Sequence, residues 1–238
     1  MTIPSDTDES RILPAWAWAW LPIGLVAGVL AWRIVDESSY RAHFENELGF
    51  AENGTAVLLI PGIYAALIVW RLRERLPFRL LGFWYGLVGL GCVYFAGEEL
   101  SWGQSLFHWE TPELLERVND QGETNIHNIS SWFDQKPRLL LELWVLFGGV
   151  LFHVWSKATG RRCPPGHWAY WFWPARQLIP VSVLALIVMM PKRILESFGS
   201  LPPPPFDIRE TELQEYLFAV FLTLYLWSVL TRLRATSS

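Results

Sequence analysis

The chain has little cysteine and no basic stripe. Two cysteines occur in 238 residues, Cys92 inside an apolar run and Cys163 in a basic loop. They fall at different depths, which argues against a disulfide framework, and no CxxC metal pair exists. The missing basic stripe argues against nucleic acid as a partner, and the net charge of -4 says little by itself. A secretory signal is not expected either. The first apolar run is too long, a basic n-region is nearly absent, and no small-residue cleavage pattern follows. No internal repeat is strong enough for an inverted-repeat transporter, and no organic cofactor is indicated.

What is present is apolar sequence in long runs. The apolar fraction is 52%, and runs approaching twenty residues are read as membrane spans. The expected fold is therefore all-α, an integral membrane helical bundle of about six spans near 15–35, 52–70, 80–97, 139–156, 171–190 and 212–230. Residues 15–232 form one membrane domain between a polar tail, 1–14, and a basic tail, 233–238; a polar loop, 98–138, separates spans three and four. Many of the 15 Trp sit at the ends of runs, as interfacial belts do. Gly24 and Gly28 form a GxxxG face for close helix contact. Pro61 and Gly62 should kink span two. Thr211 and Gln214 have the spacing of a capping box at the head of span six.

Charge sets the orientation. Arg71, Arg73, Arg75, Arg79, Lys157, Arg161, Arg162, Arg176, Arg232 and Arg234 share one side, which the positive-inside rule assigns to the cytoplasm with both termini. Lys192 and Arg193 dissent. Nearly all the carboxylates fall on the other side, and acid counts carry little topogenic weight. This enrichment calls for another cause: a cation site, a proton-handling site, or plain solvation. The expected location is a bacterial inner membrane, with the polar site on the periplasmic face.

The segment 97–128, GEELSWGQSLFHWETPELLERVNDQGETNIHN, concentrates the chemistry. Glu98 and Glu99 follow the apolar run 80–96 directly, so they sit near the edge of the hydrocarbon. Ionised carboxylates at that depth need a metal, a base or several donors. Glu123 and His127 are four apart and share a face if helical, which suits a metal or an acid–base pair. Glu52 at the head of span two, and Glu212 and Glu215 at the head of span six, reach the same level. The expected metal ligands are Glu98, Glu99, Glu123 and His127, with Glu52, Glu212 and Glu215 as further contributors. Glu99, Glu123 and His127 are the candidates for chemistry; Trp102, Gln104, Gln121, Asn125 and Asn128 would orient substrate or ligands. Oxygen donors with one imidazole suit Mg²⁺, Mn²⁺ or Ca²⁺, with Zn²⁺ or iron as alternatives. Plainer readings stand beside these. Acids at a helix head are favoured by the helix dipole, and Glu113 and Glu116 read as a solvated face. Glu142, inside span four, reads as a paired or functional group.

GEELSWGQ at 97–104 followed by QGETNIHN at 121–128 resembles a pattern of uncharacterised bacterial multi-pass membrane proteins, usually with a Glu at the head of an early span, as Glu52 is here. The resemblance covers about 47–128 and implies no activity. Membrane metal hydrolases of the alkaline ceramidase and adiponectin-receptor type are similar only in span number and outer-face acids; their paired His motif on a late helix is absent. Three functions are compatible with the sequence. One is a metal-dependent enzyme acting on a membrane lipid or lipid-linked substrate at the outer face. Another is an assembly subunit whose loop 98–138 docks a protein partner. The third is a small ion-coupled transporter that uses Glu142 and the outer acids.

Overall fold

In hydrocarbon, an apolar stretch of about twenty residues can satisfy its backbone groups on its own only as a helix. Six helices of that kind form here. The structure is a computed structural model. It describes residues 12–44, 50–107, 109, 111, 131–161 and 163–236, and their side chains except those of 105, 106 and 131–134. Helix α1 is Trp16–Val35, α2 is the short Glu37–His43, α3 is Phe50–Arg71, α4 is Arg79–Glu99 and α5 is Gln135–Thr159. The fifth crossing, Trp168–Ser197, is interrupted and comprises α6 (Trp168–Phe172), α7 (Ile179–Ile187) and α8 (Met190–Ser197). Helix α9 is Glu210–Ala235. No strand occurs among the described residues.

Helix α9 lies at the centre. Its apolar window is 83% buried, whereas the other five crossings are 17–39% buried. A helix apolar on every side can be buried on every side, and α9 packs along α3, α7 and α4. Small residues permit the close approaches. A Cβ on Gly62 would lie 2.7 Å from Thr223 Oγ1, and one on Gly149 would overlap Ser182 Oγ. Thr223 Oγ1 donates to the Leu58 carbonyl (2.7 Å), three residues before Pro61, and α3 runs on as one helix from Phe50 to Arg71. At the basic end Trp84 Nε1 donates to Tyr225 Oη (2.8 Å), which donates to the Phe172 carbonyl (2.8 Å). Buried Arg232 donates to the Tyr170 carbonyl and lies over the Tyr170 ring.

At the acidic end, buried Arg33 of α1 pairs with Asp207 (2.7 Å) just before α9, and with Glu37 (3.0 Å). The Asp36 side chain caps α2 by accepting from the Ser39 N–H (2.9 Å). That bond, then one from the Ser38 hydroxyl, holds the Asp36 carboxyl below its usual range; Arg41 and then Arg33 do the same for Glu37. Lys192 and Arg193 are cations at the acidic end because they have acids to meet there. Lys192 pairs with Glu210 (3.4 Å), and Arg193 pairs with Glu142 (2.6 Å).

Two local expectations are corrected. Residue Arg209, not Thr211, is the N-cap of α9, and no side chain caps it. Gln214 is fully buried and donates to Glu142 (3.0 Å) and the Ala185 carbonyl (2.9 Å), so tertiary partners displace the capping box. A Cβ on Gly24 or Gly28 would meet nothing within 4 Å, so these glycines serve no close helix contact among the described residues. The fourth and fifth crossings also run past their apolar cores, because partnered polar residues extend them.

Gly149→Val is expected to destabilise the purified protein by about 1–3 kcal/mol through overpacking against Ser182 and Phe221. Gly28→Ala, which meets no neighbour, should stay within about 0.5 kcal/mol. Thermal unfolding in detergent compares the two. Because the Asp36 and Glu37 carboxyls are held low, their stabilisation is present at neutral pH and lost as pH falls through and below about 4. Amide exchange of 36–44 should accelerate over that range.

Candidate functional site

The site begins where α4 ends. Adjacent helix positions point about 100° apart, and the two acids at this end take different directions. Glu98 is 5% exposed and accepts from the Trp102 Nε1–H (2.6 Å). Glu99 faces α9, where its carboxylate meets those of Glu212 and Glu215. Oxygen atoms of these three residues lie within 4.8 Å of one another.

The turn after α4 explains much of the GEELSWGQ pattern. Ser101, Trp102 and Gly103 have φ of 46°, 54° and 95°, three left-handed residues in succession. Two of them are not glycine, and each costs about 1–2 kcal/mol in that conformation. The hydrogen bond to Glu98 offsets part of this strain. The indole also needs Gly97 beneath it, since a Cβ there would lie 2.9 Å from two ring atoms. Tyr94 meets the same ring edge-on at 6.2 Å. Gln104 then donates to Thr111 Oγ1 (2.9 Å). Trp102 and Gln104 thus fasten the turn that begins one residue after Glu99.

The first turns of α9 bring the other two carboxylates. Glu212 is 8% exposed and pairs with Arg209 (3.3 Å), while Glu215 pairs with Arg138 of α5. Glu52, in the first turn of α3, adds a further negative charge acting on Glu99. Tyr216 donates to the Phe50 carbonyl (2.5 Å) and lies against Gly54, which fixes the head of α3 against α9. Among the described residues, four carboxylates here face two guanidinium groups, Arg138 and Arg209. Mutual repulsion in a partly desolvated cluster makes three neighbouring anions costly unless a cation or shared protons offset it. Oxygens within 4.8 Å of one another are compatible with ligands about 2.3–2.6 Å from a common centre. An all-carboxylate donor set suits a hard cation, Mg²⁺, Mn²⁺ or Ca²⁺, better than Zn²⁺.

The predicted residues therefore divide into groups. Glu99, Glu212 and Glu215 come together, with the charge of Glu52 also acting on Glu99. Glu98, Trp102 and Gln104 build the adjoining turn. Glu123, His127, Gln121, Asn125 and Asn128 lie outside the described residues. Sequence reasoning missed Arg138; its signal was a pair of cations, Lys136 and Arg138, entering span four on the side of the surplus acids. No family model, curated protein or solved structure matches the chain.

Trp102→Phe keeps an aromatic side chain in the turn but removes the N–H to Glu98 together with part of the indole surface over Gly97. It is expected to cost about 1–3 kcal/mol in thermal unfolding. In a Glu98→Leu background the same change should cost far less, and the difference measures the coupling.

Proposed function

We propose that this chain is a membrane-embedded enzyme that uses a divalent cation to act on a lipid or lipid-linked substrate at the membrane–water boundary. The observation that carries this reading is the meeting of the Glu99, Glu212 and Glu215 carboxylates at the ends of two crossings. Headgroups of lipid substrates lie at that level, and hard cations are suited to polarising their phosphoryl or carbonyl oxygens. Glu99, Glu212 and Glu215 would hold the cation, and Arg138 would hold Glu215 in place or steady an anionic substrate. Glu52, whose charge acts on Glu99, is the proposed acceptor of a proton from an attacking water. Glu123 and His127 of the loop are the proposed further ligands. The concentration of Arg and Lys at the other end supports placing the acidic site on the outer face of an inner membrane.

A second reading has its own support. Arg138–Glu215, Arg193–Glu142 and Lys192–Glu210 all join α9 or its neighbours at the acidic end. Such pairs would staple an assembly subunit whose loop docks a protein partner. An ion-coupled transporter is the third reading, and Glu142 weakens it by being already paired.

Elemental analysis of detergent-purified protein separates the first two readings. Wild type is expected to carry near-stoichiometric divalent metal, with at least a tenfold loss in folded Glu99→Gln and Glu212→Gln variants. Equal trace metal in all three would refute the metal enzyme and favour the stapled subunit.

A further inference from the structure

A second feature lies at the opposite end of the bundle from the acidic site. Phe147, Leu151 and Trp155 of α5, with Cys163, Trp168 and Trp173, line an open groove of about 510 Å³. That volume falls in the range of about 300–1,000 Å³ that holds drug-sized ligands. The back wall is firm: the Trp173 ring stacks on Trp144 (5.3 Å between centroids) and on Phe152 (5.0 Å). The front is open, with Phe147, Leu151, Trp155 and Trp168 all exposed on the outer surface of the bundle. In a membrane-spanning chain, that surface faces lipid.

The rim carries positive charge. Gly160, at φ 65°, ends α5 and turns the chain back. Ser156 Oγ donates to the Arg161 carbonyl (2.5 Å) across that turn. The Arg161 guanidinium comes to rest 5.8 Å from the centroid of the Trp155 ring. Lys157 lies in the last turn of the same helix. Among the described residues no carboxylate pairs with Arg161 or Lys157, whereas Arg193, Lys192 and Arg138 at the far end are each paired. An apolar aromatic wall beneath unpaired cations is complementary to a molecule with a chain and an anionic head.

We propose that this groove binds an anionic phospholipid, one acyl chain lying against Trp155, Trp168 and Trp173 and the headgroup phosphate meeting Arg161 with Lys157 nearby. A zwitterionic lipid would fill the wall equally well but leave the positive rim without a net counter-charge. The site is separate from the acidic cluster and does not depend on the reading given to it.

The test is native mass spectrometry of the full chain, released from nanodiscs containing equal phosphatidylglycerol and phosphatidylcholine of matched chains. Wild type is expected to retain phosphatidylglycerol preferentially. Arg161→Glu, an exposed change, should reduce that preference at least about fivefold, the weight of one cation near a charged membrane surface. Leu151→Trp, which fills the groove from its open side, should reduce retention of both lipids. Equal retention of the two lipids by wild type, or unchanged retention in folded Leu151→Trp, overturns the proposal. An acyl mass on the intact denatured chain that vanishes in Cys163→Ser also overturns it, because the groove would then house a thioester-linked chain.

Discussion

The burial of α9 on every side is the constraint on which the rest of the structure depends. Its apolar body needs no explanation beyond packing. Its first turns differ: Glu210, Glu212 and Gln214 are all buried there, with Glu215 beside them. Buried polar groups must be partnered, and the partners come from several surrounding elements. Lys192 of α8 meets Glu210, Arg138 of α5 meets Glu215, and Glu142 of α5 meets Gln214. The acidic end of the bundle is thereby organised around one helix terminus.

This arrangement gives the two ends of the molecule different chemistry. At the basic end, buried hydrogen bonds run from aromatic side chains and Arg232 to backbone carbonyls of the segment around α6, and no carboxylate of the described residues takes part in them. At the acidic end, ion pairs join the helices beside such hydrogen bonds, and oxygens of Glu99, Glu212 and Glu215 lie within 4.8 Å of one another. The proposed cation site draws on those three carboxylates, and the proposed lipid site draws on Arg161 and Lys157 at the other end.

The turn after α4 shows how a short motif can be mostly structural and still serve a site. Gly97 makes room, Glu98 accepts, Trp102 locks, and Gly103 adopts a φ that favours glycine. Strained non-glycine residues of this kind cluster at functional sites. Here they redirect the chain just past Glu99, at the end of α4.

Much of the fold was legible in the sequence by itself. Runs of about twenty apolar residues determine six crossings and an all-α bundle, because hydrocarbon leaves the backbone no other open-ended solution. The segregation of acids and bases to opposite ends was equally plain, as was the place of Glu98 and Glu99 at the end of the third crossing. What only the tertiary structure decided is which side chains meet. Glu212 and Glu215 read as ordinary helix-head acids, yet they join Glu99, while the neighbouring Glu98 turns to Trp102. Gln214 has capping-box spacing but bonds across to α5 and α7. Arg138 shows in the sequence as a cation entering span four, but nothing local says that its partner is Glu215 on the last helix. Periodicity along one helix says which residues share a face; which helix that face meets depends on contacts between segments far apart in the chain.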